Sequence, residues 1–349
     1  MKSDVTITEI AQESGVSIAT VSRYLNGKVP VSPEKRERIE AVINKYHYTP
    51  NALARSLISK KTMTLGVVLP DITNPYFSQV FQEIQQCAAR EGYSIYLCNT
   101  QFHYGVQKID ETEYFRMLLD RKTDGVLVMG GQLDLIQISE EYKSSLVRLA
   151  QSVPVVAAGP EIPGVDAVFL QLDLSGGIAT AYNYLSSLGH QNIAILGGQP
   201  GVRITEERLN AYGLAVSSYG RSVDDALICL SDYYLQDGYQ AADTLIKRNT
   251  PFTAVITMND NTALGAMRAF RDHHLSVPED ISLISCDQFS MSQYTIPRIT
   301  GFQSNQQLWG QMLVRSLIQA IAGHRESSRL SLPTNLVVRE SCCPPKNIS

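Results

Sequence analysis

No apolar run in this 349-residue sequence approaches the roughly 18 residues that a membrane-spanning helix needs. The opening MKSDVTITEI also lacks the apolar core of a secretion signal. Both absences argue against a membrane or exported protein, and a cytoplasmic location is the expectation. The six cysteines, Cys87, Cys98, Cys229, Cys286, Cys342 and Cys343, show neither CxxC nor Cys/His metal spacing. They read as scattered reduced thiols, most of them buried, with no disulfide framework and no metal site. Catalytic signatures are missing too: there is no GxSxG, Walker A or HExxH motif, and the six histidines are scattered. GGQPG at 197–201 follows a strand-like run but is not GxGxxG, and no acid downstream is placed for a nucleotide ribose. Nothing here calls for an enzyme or a cofactor.

What is present is unevenly distributed. The net charge is −4, yet residues 1–61 carry ten Lys/Arg against six acids, so a basic head of +4 precedes a body of −8. That asymmetry points to a polyanion at one end only. In the head, Thr6 and Glu9 are spaced as a capping box, Ile10 and Ala11 are inward positions, and Ser14-Gly15 stops the helix. Ser17 caps a second helix with Val21 and Leu25 facing inward, ended by Asn26-Gly27. Two short helices joined by Gly-Val have helix-turn-helix spacing. A third follows in VSPEKRERIEAVINKY, with Ser32 as cap, Pro33 in the first turn and Ile39, Val42, Ile43 and Tyr46 as one apolar stripe. Such a unit suits DNA reading, because small residues let the second helix sit deep in the major groove. Ile18, Ala19 and Ser22 would point to the bases, and Thr20 and Arg23 would reach phosphates or base edges.

The stretch VTITEIAQESGVSIATVSRYLNG, continued by VSPEKRERIEAVINKYHYTPNALARSL, closely resembles the head of the lactose/galactose repressor (LacI/GalR) family. The likeness runs on to about residue 340. It implies DNA contacts at Thr6, Ser17, Ile18, Ala19, Thr20, Ser22, Arg23 and Asn26. It also implies a hinge over 49–62 that contributes Asn51, Ala54, Arg55 and Leu57. A helix opened by Pro50-Asn51 is at most about nine residues long, too short to persist alone in water. In the family the hinge folds when two copies pair over the operator, and a leucine matching Leu57 wedges into the minor groove.

Beyond residue 62 the pattern becomes alternating strands and helices. TLGVVLP, YSIYLCN, DGVLVMGG and VPVVAAG are buried strands separated by helical stretches such as 76–91 and 111–121; AVFLQLD, NIAILGG, AVITMND and ISLISCD repeat the arrangement. The expected fold is an all-α helix-turn-helix head (1–48), the hinge, and an α/β body of two doubly wound parallel-sheet subdomains. The resemblance implies a periplasmic-binding-protein-like body crossed three times by the chain. Subdomain one then takes about 63–162 and 304–327, subdomain two about 163–303 and 328–341, with 342–349 a tail.

A cleft at the strand ends suits a small polyhydroxylated ligand, which needs a few polar groups and an aromatic face. Candidates from strand ends and adjoining helices are Arg208, Tyr233, Asn259, Asp287 and Gln303. Each taken singly also has a structural reading, and Asp260 reads equally as a cap. The resemblance groups them: Asn259 matches an inducer-binding asparagine, Arg208, Asp287 and Gln303 match residues holding sugar hydroxyls, and Tyr233 falls where an aromatic stacks. PDITNPYF adds Asp71, Asn74 and Phe77. One departure concerns the acid that many members carry after VPVV, where this chain has Ala157-Ala158-Gly159-Pro160. A larger sugar, a glycoside, or a sugar phosphate facing Arg208 would accommodate that change. SCCPPKNIS lacks heptad leucines, so a homodimer on palindromic half-sites is the expectation. The expected function is repression of carbohydrate-utilisation genes relieved by a sugar-type inducer, with a corepressor-dependent or phosphocarrier-partnered regulator as rivals.

Overall fold

The computed structural model describes residues 5–26, 30–46, 48, 61–101, 110–172, 176–287, 290–303, 305–330 and 335–346. The chain divides into two compact units, Met1–Met63 and Thr64–Ser349. The expected hinge, with Asn51, Ala54, Arg55 and Leu57, lies outside the described residues except at 61 and 62, and so does the side chain of Asn26.

The head forms α1 (Ile7–Ser14), α2 (Ile18–Asn26) and α3 (Pro33–Tyr46). Its start and stop signals act as expected. Thr6 and Glu9 close a reciprocal capping box, and Gly15 ends α1 at φ 65°, which its missing side chain permits. Ile10, Ala11, Val21, Ile39 and Val42 make one small core. Tyr46 departs from the expected stripe: it is 40% exposed and packs against the ammonium of Lys45, while Tyr48 takes the place beside the core. A four-position stripe is wider than the two short partner helices can cover.

The body contains two six-stranded sheets. In the first, β1 (Thr64–Leu69), β2 (Ser94–Asn99), β3 (Gly125–Met129), β4 (Val155–Ala158), β5 (Val168–Leu172) and β11 (Ser328–Leu330) stand in the order β11-β5-β4-β3-β1-β2, all parallel. Helices α4 (Pro75–Arg90) and α11 (Gln306–Ile321) contribute to the core on one face. On the other lie α5 (Glu111–Asp120) and α6 (Glu140–Ser152). The second sheet joins β6 (Ile193–Leu196), β7 (Ile228–Cys229), β8 (Ala254–Thr257), β9 (Ser282–Ser285), β10 (Thr300–Gln303) and β12 (Asn335–Val337) in the order β12-β10-β9-β8-β6-β7. Only β12 runs antiparallel. It is flanked by α7 (Gly176–Ser187) and α8 (Arg203–Ser218) on one face and by α9 (Leu235–Lys247) and α10 (Asp260–Asp272) on the other. Parallel strands buried on both faces explain the unbroken Val/Ile/Leu runs.

The subdomain boundaries differ from the sequence expectation. β5 was expected in the second subdomain, but Val168 pairs with Val156 of β4, and Ser328 of β11 pairs with Leu170. The Pro/Gly-rich stretch 159–164 is therefore a loop within the first subdomain rather than a linker, and Ile162 and Val165 bury beneath it. The chain crosses after β5, after β10 and after β11. Nor is 342–346 a loose tail. The Cys343 amide donates to Ser282 Oγ at 3.0 Å, and the His190 ring is within hydrogen-bond distance of Thr253, Ser282 and the Cys343 carbonyl. The buried His190 imidazole has a lowered pKa, because burial penalises its charged form.

Helices α9 and α10 cross backbone to backbone. A Cβ on Gly265 would lie 2.0 Å from the Leu235 carbonyl oxygen and 2.6 Å from the Tyr239 nitrogen, neither of which can move aside cheaply. Gly265→Ala should therefore destabilise the body by roughly 2 kcal/mol or more, the range for overpacking a tight contact. The check is a lowered urea midpoint with an unchanged m-value.

Candidate functional site

Two surfaces hold the residues singled out by the sequence. On the head, Val21 anchors α2 in the core while Ile18 is 48% exposed, and Ala19 and Arg23 are also exposed. Ser17 caps the helix by accepting the Thr20 amide at 3.2 Å, and the two hydroxyls bond each other at 2.8 Å. Ser22 is half-buried. Arg23 has no acidic partner among the described residues, which leaves its guanidinium available to a phosphate or a base edge. Thr6 is exposed, but its hydroxyl and amide are both engaged by Glu9. Tyr24, which the sequence reading passed over, donates to Glu40 at 2.8 Å and locks α2 onto α3.

The second surface is a partly open cavity of about 200 Å³ at the carboxyl ends of both sheets. Its key side chain is Arg208 on α8, 4% exposed. Arg208 donates to the Met258 carbonyl at the end of β8 and to Asp287 just past β9, the latter at 3.3 Å. Burial works against the guanidinium charge, but the adjacent Asp287 carboxylate offsets it, so the cation is held. Burial raises the Asp287 carboxyl, with Arg208 opposing, and pushes the Cys286 thiol up to about 12. Asn259 caps α10 by accepting the Thr262 amide at 2.8 Å, and its Nδ2 donates to the Tyr233 carbonyl at 3.0 Å. Asn74 caps α4 through the Tyr76 amide at 3.0 Å, and Phe77 meets Tyr76 edge-on at 5.1 Å. The cavity thus brings together Asn74, Phe77, Arg208, Tyr233, Asn259 and Asp287 from the expected set.

Asp71 and Gln303 are not on its wall. The Asp71 carboxylate accepts from the Thr73 amide and hydroxyl and, at 3.2 Å, from the hydroxyl of Tyr234 in the other subdomain, so it braces a loop and bridges the cleft. Gln303 is exposed, because side chains alternate along β10 and Phe302 takes the inward position. The wall also holds residues that the sequence reading missed, among them Tyr76, Asp134, Arg203, Glu207, Tyr234 and Gln306. Arg203 and Glu207 lie four apart on the helix that carries Arg208, an i,i+4 pair of opposite charge that could have flagged them. Asp134 was marked by the glycine pair that follows β3, where the backbone turns sharply at φ 72° and 64°. Trp309, 3% exposed, completes the wall. No cluster of three or more metal-ligating side chains occurs among the described residues.

The fold and cavity together define a two-unit sensor: a helix-turn-helix head on an α/β body with a ligand-sized cleft. Residues 6–51 match the "Bacterial regulatory proteins, lacI family" model and residues 182–342 the "Periplasmic binding protein-like domain" model. The chain is 32% identical to the HTH-type transcriptional regulator DegA of Bacillus subtilis, covering 97% of this chain and 98% of DegA. It is 31% identical to the HTH-type transcriptional repressor PurR of Vibrio campbellii, covering 96% and 98%. Among solved structures, the transcriptional regulator CelR–cellobiose complex superposes with a TM-score of 0.71 at 26% identity, covering 97% and 99%. The protein belongs to the LacI family and is a DNA-binding transcriptional regulator, not an enzyme. No described helix is long and apolar enough to cross a membrane.

Beneath the wall, Glu111 at the start of α5 is 1% exposed, and burial raises its carboxyl to about 7 from 4.5. Between those values the folded state binds more protons than the unfolded chain, so stability is lost as pH rises from 4.5 to 7 and levels off above. Glu111→Gln removes that component, worth roughly 3 kcal/mol for a shift of this size. Urea unfolding near pH 5 and near pH 8 should show a smaller pH-dependent loss in the variant than in the parent.

Proposed function

We propose that this regulator is a cytoplasmic repressor of carbohydrate-utilisation genes, released from a palindromic operator by a sugar-type inducer bound in the cavity. The observation that carries this reading is the cavity itself. It is a partly open cleft lined by aromatic faces and equipped with the Arg208–Asp287 pair and the Asn259 amide at the strand ends. Aromatic faces suit the C–H side of a sugar ring, and the fixed polar groups suit its hydroxyls. CelR, which shares the fold at near full length, is described with cellobiose, and this supports the ligand class. Arg208 already has its charge matched by Asp287, which favours an unphosphorylated ligand over a sugar phosphate.

In the proposed mechanism the two subdomains close around ligand. Contacts that cross the cleft support a closed state: Ile136 donates to the Gly201 carbonyl at 2.9 Å, Leu135 bridges Val202, and Tyr234 reaches Asp71. Closure shifts the homodimer, the two heads lose their joint fit to DNA, and operator affinity falls. A coupling of about 1–3 kcal/mol, roughly 5- to 150-fold, is enough for such a switch.

The test is operator binding, with DNA selected from a random pool, in the presence and absence of mono- and disaccharides. Release by a sugar supports the inducer reading, whereas tightening would make the ligand a corepressor. Arg208→Ala should abolish the response while leaving operator binding intact. Arg23→Ala should weaken DNA binding about tenfold or more, a 1–3 kcal/mol contact. Unchanged affinity in that variant would remove α2 from the interface.

A further inference from the structure

We infer that the effector presents a cationic amino group to Asp134, making Asp134 the side chain that selects an aminosugar over its neutral parent. The inference rests on the reading of the cavity as the effector site and adds the chemical class of its occupant.

Asp134 is fixed in place. It ends the 3-10 turn Gly131–Asp134 after β3. Glu111, packed beneath, accepts the Gln132 amide at 3.0 Å, and a Cβ on Gly131 would lie 2.0 Å from its carboxylate oxygen. Leu133 is fully buried, and the contacts of Leu135 and Ile136 with Val202 and Gly201 hold the far side. A carboxylate is thus presented on the cavity wall, and no group among the described residues donates a hydrogen bond to it. Arg203, the cation whose charge acts on it, spends Nη2 on the Leu135 carbonyl at 3.2 Å. The neighbouring wall at Ala158, Gly159 and Pro160 offers no polar side chain.

Arg208, the other guanidinium of the wall, is already matched by Asp287, so an ammonium on the ligand supplies the cation that Asp134 faces. The aromatic wall that includes Tyr76, Tyr233 and Trp309 adds cation–π attraction. A second, independent observation points to a ligand that also carries oxygen acceptors. Arg208 Nε and Arg203 Nε are buried donors of wall residues, and neither has a hydrogen-bond partner among the described residues. An aminosugar supplies both, with its ammonium to Asp134 and its ring and hydroxyl oxygens to these two donors.

Burial raises the Asp134 carboxyl to about 7, with Arg203 opposing and Glu207 adding to the rise. Glu111, Tyr142, Tyr76 and Tyr233 also face it, from α5, α6, α4 and the loop before α9. A cationic ligand draws the proton off, so amine binding strengthens as pH rises from about 6 to about 7.5.

Calorimetric titration of the full-length protein with glucosamine, galactosamine and mannosamine, each against glucose, galactose or mannose, tests this. The expected result is at least one amine binding tenfold or more tighter than its neutral parent. That preference should fall below about twofold in Asp134→Asn and be kept in Asp134→Glu, with both variants checked for an unchanged melting temperature. If a neutral sugar binds as tightly as its amine, or binds when no amine does, the inference is overturned while the cavity remains a sugar site. If none of the six binds, the inference falls together with the sugar reading. An amine preference that persists in Asp134→Asn also overturns it, by removing Asp134 as the selecting residue.

Discussion

A guanidinium that is 4% exposed has to be compensated where it lies, and the geometry of the cavity follows from how Arg208 achieves this. Its donors reach the carbonyl that ends β8 and the carboxylate just past β9, so one side chain ties α8 to two adjacent strand ends. Removing either partner of such a pair leaves an uncompensated buried charge, typically at a cost of several kcal/mol. The pair therefore holds the floor of the cavity as well as lining it. Asn259 extends the same logic: its amide caps α10 and at the same time fixes the loop that carries Tyr233.

Because the strands of each sheet run parallel, apart from β12, their carboxyl ends collect on one side, and the helices that follow them begin there. That is why the wall draws on so many separate elements and why capping residues recur in it. Asn74 and Asn259 are both helix N-caps and wall residues. Asp71 shows the converse case, a loop residue with the right chemistry whose oxygens are consumed by Thr73 and Tyr234 before any ligand arrives.

Much of this architecture was legible in the linear order of residues. Helix caps are local events, and Thr6, Glu9, Gly15 and Pro33 act through neighbours at most four positions away. Buried parallel strands announce themselves as short apolar runs, so β1 to β6, β8 and β9 were found, whereas β7, β10, β11 and β12, none longer than four residues, were not. What escaped was non-local. The assignment of β5 depends on Val168 pairing with Val156 across a loop that is rich in Pro and Gly, as a linker would be. The clasp of 342–346 depends on His190, some 150 residues earlier. Gln303 was displaced by the alternation of β10, which puts Phe302 and not its neighbour on the inner face.

The residue sequence by itself determined the helix-turn-helix head, the two-sheet body, the exposed face of α2 and most of the polar floor of the cavity, because capping, periodicity and strand-end chemistry act over a few residues. Only the tertiary structure decided which acids stand on the cavity wall: Asp134 reaches it from a loop the sequence reading had not singled out, beside a glycine turn over the buried Glu111. A side chain is placed on a wall by the packing beneath it, and that packing joins segments which have no relation along the chain.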